Sequence, residues 1–401
     1  MNDSNDRETF RGEVREFLET HCPATMRGAT DPLSTANWGG RQREFLEPLE
    51  DGERWLNAMA ERGWTVPTWP KEYGGGGLDA DQARVLAQEL QRIEAKPALT
   101  NLGITMLGPT LLEYGTETQK QEHVRGIAEG KIRWCQGYSE PGAGSDLASL
   151  QTRCEDMGDH FRINGQKIWT SYADKSDWIF CLVRSDPEAS KHEGISFVLI
   201  DMDQPGVTTS PIKLISGSSP FCQTFFEDAR AEKKDLVGPL NGGWTIAKRL
   251  LQFERQSIGG MNSARAPKRA TLDELAKEHA GEASGRIADA ALRAKIAAFE
   301  IEAQALSSTM RRTADEARSG NAVGTASSIF KYMSTESNKT RQELRLEIMG
   351  LYGLGWEGEG FAADELQTTR DWLRSKANSI EGGTSEVQLN IIAKRVLGLP
   401  D

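Results

Sequence analysis

The order of apolar and polar positions divides the chain into three zones. From Asp6 to about Trp134 the spacing is helical: Leu86, Leu90 and Ile93 recur at i, i+4, i+7, which places their side chains on one helix face. Two stretches interrupt it. His21 to Gly40 is rich in turn formers, and TWPKEYGGGG (Thr68 to Gly77) combines a proline with four glycines, so neither is regular structure for long. Between about Trp134 and Asp235 the period shortens to that of strands: FRI, an Asn164-Gly165 hairpin signal, KIWTS, then WIFCLVR, ISFVLID and FCQTFF, separated by turn residues. From Trp244 helical spacing returns. Leu292, Ile296, Phe299, Ala303, Leu306 and Met310 make one continuous stripe on a helix long enough for a bundle, and the chain closes on a similar set, Leu389, Ile392 and Val396. The segment from Ala264 to Ala290 has no clear period. The pattern predicts an α+β, mainly α chain: an N-terminal helical domain over 1–133, a compact central β domain over 134–236 and a C-terminal α-helical bundle over 237–401.

Composition narrows the classes of function. A chain of 401 residues with 38% hydrophobic content can build two or three packed domains. The 48 basic against 59 acidic residues give a net charge of −11, which argues against nucleic acid or an anionic membrane as partner. Cys22, Cys135, Cys154, Cys181 and Cys222 contain no CxxC pair, so a disulfide framework and a metal site are both unexpected. No apolar run reaches the ~18 residues that span a bilayer, and the polar start MNDSNDRETF is unlike a secretory signal, so no membrane insertion is expected and a cytoplasmic location is.

Candidate chemistry begins on the helix Trp244 to Gly260. At 100° per residue Ala247, Leu250, Leu251 and Ile258 share one face, Lys248, Arg249, Gln252 and Gln256 the opposite one, and Glu254 falls within the apolar face. A carboxylate there is desolvated, which raises its pKa towards the range where a general base takes and returns a proton near neutral pH. The plainer alternatives are a buried ion pair, or a helix that turns this face to water. Three further segments carry polar loops. Cys135 to Thr152 (CQGYSEPGAGSDLASLQT) offers Pro141, Gly142 and Gly144 for a tight turn whose N–H groups converge on an anion, with hydroxyl donors at Ser139 and Ser145. Asn164 to Trp178 carries Trp169, Thr170 and Ser171; a lone Trp is ordinarily core filling. Ser379 to Pro400 places Gly382, Gly383 and Thr384 before a closing helix, where glycine serves equally as helix entry.

Taken in this order, the four segments resemble the acyl-CoA dehydrogenase family over essentially the whole chain. The most specific piece is Ser139 to Asp146 (SEPGAGSD), followed by Gly165 to Ser171, the WPKEYGG loop and the GGTSE turn before a helix ending in VLGLP. Among members, WCQGYSEPGAGSDLASLQT is most similar in wording to the large subunits of bacterial pimeloyl-CoA dehydrogenases. The resemblance implies an N-terminal helical domain, a central β-barrel-like domain and a C-terminal four-helix bundle, with FAD between the last two. It implies α,β-dehydrogenation of an acyl-CoA to the trans-2-enoyl-CoA, electrons leaving to an electron-transfer flavoprotein. A homotetramer, or a heterotetramer with a related subunit, goes with it. By matching positions, the backbone at Tyr138 and Ser139 would face the isoalloxazine with Trp169 and Ser171 beside it. Gly144 and Ser145 would lie near the cofactor phosphates, and Thr384 and Glu386 would touch FAD. Ser145 and Arg255 would meet the substrate. Of the family's two base positions, the one before Gly-Thr is Gly382 here, leaving its backbone N–H for the thioester oxygen, and the helix position is Glu254; Glu381 is the competitor, its side chain expected to point elsewhere.

Two departures matter. The Arg-x-x-Phe-Gly element that reaches a neighbouring subunit's FAD is replaced by LAKEHAGEASGRIADA, and the Gln opening the family's QxxGG segment is Glu347. They keep two alternatives open, a non-catalytic partner subunit of a two-subunit dehydrogenase and an acyl-CoA oxidase.

Overall fold

The computed structural model describes residues 2–28, 37–264, 270–318 and 326–400. They fall into two compact units: Met1–Ile212 with Pro220–Phe253, and Lys213–Ser219 with Glu254–Asp401.

The first unit opens with helices α1 (Asn2–His21), α2 (Leu49–Glu61), α3 (Ala80–Arg92) and α4 (Gly108–Tyr114), then the short turns α5 (Glu117–Gln119) and α6 (Arg125–Ala128). Helix α3 starts where Asp79 accepts from the N–H groups of Asp81 and Gln82 while the Gln82 side chain answers the Asp79 N–H, a reciprocal cap that satisfies donors the helix leaves open. Leu86 is buried from it, with Leu90 and Ile93 packed alongside, as the spacing requires. Between α1 and α3 lies Glu89, 2% exposed, which accepts from Arg11 (2.8 Å), Arg15 (2.9 Å) and Arg92 (2.6 Å).

Eight strands follow: β1 (Trp134–Gly137), β2 (Arg153–Asp156), β3 (His160–Ser171), β4 (Trp178–Arg184), β5 (Ile195–Asp201), β6 (Val207–Ile212), β7 (Phe221–Glu232) and β8 (Leu236–Val237). They form one sheet in the order β6-β7-β3-β2-β4-β5-β8, with β1 parallel to β4, and its two ends are not joined into a closed barrel. The Asn164-Gly165 hairpin is a misreading. Both residues lie inside the single strand β3, where the register against β7 shifts between Ile163 and Gly165. Asn164 donates to Asp228 (2.9 Å), and Gly165, at φ +151°, brings its Cα to a place where a Cβ would stand 2.7 Å from the Thr152 backbone. The glycine answers a close approach in a bulge, not a chain reversal. All five cysteines are free and buried, and burial pushes the Cys154 and Cys181 thiols up to about 12.

Helix α7 (Gly243–Ala264) runs from the first unit into the second, its first half burying Ile246, Ala247 and Leu250 in the first unit's core. The second unit continues with α8 (Leu272–Ala280), a two-stranded ribbon of β9 (Glu282–Ala283) and β10 (Arg286–Ile287), then α9 (Ala290–Arg318), α10 (Ala326–Met349), α11 (Ala363–Ser375) and α12 (Ser385–Ile391). Leu292, Ile296 and Phe299 of α9 pack on Leu344, Ile348 and Met349 of α10, and the stripe thins beyond, with Leu306 and Met310 half-buried. The closing helix departs from expectation more clearly. Leu389 and Val396 are exposed, so its apolar positions do not line the unit's core.

The Glu89 cluster sets an acid sensitivity. Hydrogen bonds from Arg15, then Arg11 and Arg92, outweigh burial and hold its carboxyl at about 2. A folded-state value below the unfolded ~4.3 stabilises the fold above about pH 5, and that contribution is lost as pH falls through 2. Glu89→Gln should lower the unfolding free energy by about 3 kcal/mol at pH 7, with the gap to the parent closing towards pH 2 in urea titrations. A gap independent of pH would refute the assignment.

Candidate active site

In the first unit the polar loop after β1 is held by a buried ion pair. Lys167 is fully buried on β3 and donates to Glu140 (2.7 Å) and to the Tyr138 carbonyl (3.2 Å). Glu140, 8% exposed, also accepts from the Gln151 N–H (2.6 Å), the Thr152 N–H (2.9 Å) and the Thr152 hydroxyl (2.6 Å). Burial alone would raise its pKa; Lys167 and these donors reverse that and leave it lowered. One carboxylate thereby joins both ends of the loop to the sheet. The arch between is a tight turn in which Glu140 and Ala143 exchange both backbone hydrogen bonds, and Arg184 secures the far side through the carbonyls of Ala148 (2.6 Å) and Leu150 (3.4 Å).

The crest of the loop is open to solvent. Ser145 and Gly144 are exposed, and nothing stands within 4 Å of where a Cβ on Gly142 or Gly144 would be. Tyr138 turns its ring inward, edge-on to Phe180 and Phe197, so only its backbone remains for a ligand. The Ser139 carbonyl accepts from the Ile168 N–H (2.9 Å), which ties the loop to the residue before Trp169.

Trp169 is not core filling. It is 51% exposed, adopts φ +61°, and sits where the β3–β7 register shifts again between Lys167 and Thr170. A left-handed tryptophan costs about 1–2 kcal/mol, and the bulge that imposes it turns the indole out of the sheet, edge-on to Phe221 at 6.2 Å. An exposed flat indole held this way is a stacking surface for a planar ligand. Ser171, half-buried, closes the same strand.

In the second unit Gly382 and Gly383 both have positive φ, +66° and +90°. The Gly382 carbonyl accepts from Gln388 (3.1 Å), and among the described residues no backbone carbonyl accepts from its N–H. Thr384 caps α12 by accepting from the Val387 N–H, and Glu386 is exposed, its carboxyl held below the usual range first by its own backbone N–H and then by Thr384. Glu381 is fully engaged, accepting from Arg374 (2.7 Å) and Asn378 (2.5 Å). Glu254 is half-buried on α7, after a run whose inward face (Ala247, Leu250) and outward face (Lys248, Gln252) follow the expected wheel. The Ile258 and Arg255 side chains lie outside the described residues. Glu347, at the position expected to be Gln, pairs with Lys295 (2.5 Å). A recess of about 400 Å³, lined by Lys213, Ser216, Trp356, Arg370, Asp371 and Arg374 among others, includes none of the expected site residues and touches them only through Arg374, the partner of Glu381.

Sequence reasoning missed both anchors, Glu140 with Lys167 and the polar set on α10 described below. Only the second left a signal in the sequence: Lys331, Thr335 and Asn338 recur at helical spacing on one face.

Comparison with known sequences decides the family. The acyl-CoA dehydrogenase N-terminal domain matches residues 4–131, the middle domain 135–229 and the C-terminal domain 241–397. The chain belongs to the acyl-CoA dehydrogenase family. Acyl-CoA dehydrogenase IpdE1 of Mycolicibacterium smegmatis is 36% identical, covering 98% of this chain and 97% of the relative. Among solved structures, the Tcur3481-Tcur3483 steroid ACAD G363A variant superposes with a TM-score of 0.76 at 29% identity over 100% of both chains. The ChsE4-ChsE5 complex from Mycobacterium tuberculosis gives 0.71 at 27%, covering 99% of this chain and 98% of that one. Acyl-CoA dehydrogenases are FAD-dependent oxidoreductases, and the exposed indole at Trp169, the open backbone at Gly142 and Gly144 and the free face of Ser145 fit such a cofactor.

Replacing Lys167 by Met should strand the Glu140 carboxylate and lower the unfolding free energy by about 3–5 kcal/mol in urea titrations. A loss below about 1 kcal/mol would mean that the pair is as screened as one at the surface.

Proposed function

We propose that this acyl-CoA dehydrogenase acts on steroid-derived acyl-CoA thioesters, that Glu254 is its base, and that it works as the Glu254-bearing subunit of a heteromer. Glu254 removes the α-proton. The Gly382 N–H donates to the thioester oxygen and stabilises the negative charge that grows there as the proton leaves. The 138–145 backbone, Trp169, Ser171, Thr384 and Glu386 hold the cofactor, and Ser145 and Arg255 contact the substrate. FAD, when bound, supplies the hydride-accepting chemistry at the β-carbon. An electron-transfer flavoprotein is the acceptor.

The observation that carries the base assignment is the state of the two competing carboxylates. Glu381 is held by both Arg374 and Asn378, while Glu254 lies half-buried on the helix that buries Ala247 and Leu250. A base needs a carboxylate that is partly desolvated and within reach of the substrate's α-proton. The steroid reading rests on the likeness to the steroid ACAD, and the heteromeric reading on the likeness to the ChsE4-ChsE5 complex together with two features of this chain. The Arg-x-x-Phe-Gly element, which in relatives reaches a neighbouring subunit's FAD, is missing, and Glu347 places a carboxylate where a neutral amide was expected near the adenine end of FAD. A partner subunit carrying both would complete the site.

Glu254→Gln should retain yellow bound flavin while losing its bleaching by acyl-CoA at least ~1000-fold, because the amide cannot accept the proton. Undiminished bleaching would remove Glu254 from the mechanism. In a panel of thioesters, steroid-derived acyl-CoAs should bleach the parent faster than straight-chain ones; the reverse order would reject the substrate class.

A further inference from the structure

The turn that carries Gly382 has little reason to hold its own shape. Two consecutive glycines in left-handed conformations have the largest conformational freedom to lose, and local propensity does not select one geometry for them. Yet a donor aimed at a developing oxyanion is effective only if its position is set before the charge appears.

The neighbouring helix α10 supplies what the turn lacks. Oε1 of Glu336 accepts from the hydroxyl of Ser379 (2.9 Å), ahead of the two glycines, and from that of Ser385 (3.1 Å), just beyond them. Its Oε2 accepts from Lys339 (2.9 Å), which also donates to Ser379 (2.6 Å). Two further α10 side chains reach the same shoulder: buried Lys331 donates to the Asn378 carbonyl (3.0 Å) and Asn338 to the Asn378 side-chain oxygen (2.8 Å). Burial works to raise the pKa of Glu336, but Lys339, Ser379 and Ser385 outweigh it, so the anion that accepts these bonds is the form the site favours. Among the described residues Glu336 alone touches both sides of the glycine pair with one oxygen atom.

We infer that Glu336 is a positioning residue for dehydrogenation: from α10 it fixes Ser379 and Ser385 and thereby aims the Gly382 N–H at the thioester oxygen. This rests on the role proposed above for Gly382. The residue does not touch the substrate and transfers no proton. Its effect belongs to the chemical step, since a donor displaced by about 1 Å costs on the order of 100-fold in rate while binding of the distant CoA moiety is unaffected.

The test uses the flavin-loaded full-length protein with whichever acyl-CoA bleaches the parent fastest. Glu336→Ala should slow single-turnover bleaching by about 100-fold with the dissociation constant within about threefold, and Glu336→Gln, whose amide oxygen still accepts from both serines, should recover most of the rate. Independently of turnover, amide hydrogen exchange over residues 380–386 should accelerate about tenfold in Glu336→Ala and stay at parent level in the core of α10. Unchanged exchange in the turn would overturn the proposal, as would a loss spread over the whole helix or one confined to substrate binding. If Glu336→Ala does not fold, the Ser379→Ala, Ser385→Ala double variant replaces it with the same expectations. Should no acyl-CoA bleach the parent, the proposed function fails, while the exchange measurement still decides whether Glu336 holds the turn.

Discussion

The contact between Lys167 and Glu140 is the constraint on which the first unit's ligand-facing surface depends. Taking a lysine and a glutamate out of water is expensive, and the pair is tolerable because the carboxylate receives three further donors from Gln151 and Thr152. Its geometric effect is larger than its energy. It fastens the arch from Glu140 to Thr152 onto β3 two residues ahead of Trp169, so the loop backbone and the outward indole share one rigid support. A mobile loop with the same residues would present the same donors in no fixed arrangement.

The second unit repeats the logic with different parts. In both places a glycine-rich segment with little intrinsic preference is given a single shape by buried or half-buried charged side chains from a neighbouring regular element: Lys167 on a strand, Glu336 and Lys331 on a helix. A donor on bare backbone needs such support to keep one aim, because backbone N–H groups have no rotamer of their own to lock. The polar residues within these cores fix the shape of the segments they bond.

Much of the architecture was legible in the sequence. Helical spacing located α3 and α9, and apolar runs located β4, β5 and β7, because burial of one face or one long strand leaves a period in the chain. What failed did so for identifiable reasons. Asn164-Gly165 carries the composition of a turn, but the pairing of β3 with β7 and the approach of Thr152 override it. Helix α8 was unreadable by period, although Thr271 and Glu274 form a reciprocal cap that marks its start. Leu389 and Val396 have core spacing and an exposed face. The spacing around Trp169 alone read as core filling and only the family resemblance set it beside a cofactor, since no sequence rule shows that a register shift will turn a tryptophan left-handed and outward. Glu140 and Glu336 act through partners distant in the chain, so which side chain each of them holds is not written in the sequence around it.

The cysteines have a consequence for a protein of this chemistry. Flavins that meet dioxygen generate peroxide, and peroxide attacks sulfur through the thiolate. With every cysteine sulfur enclosed, and Cys154 and Cys181 held near 12, almost none of the reactive thiolate exists at those two positions at neutral pH. The folded chain can therefore live beside an oxidant-producing cofactor without titrating its own interior.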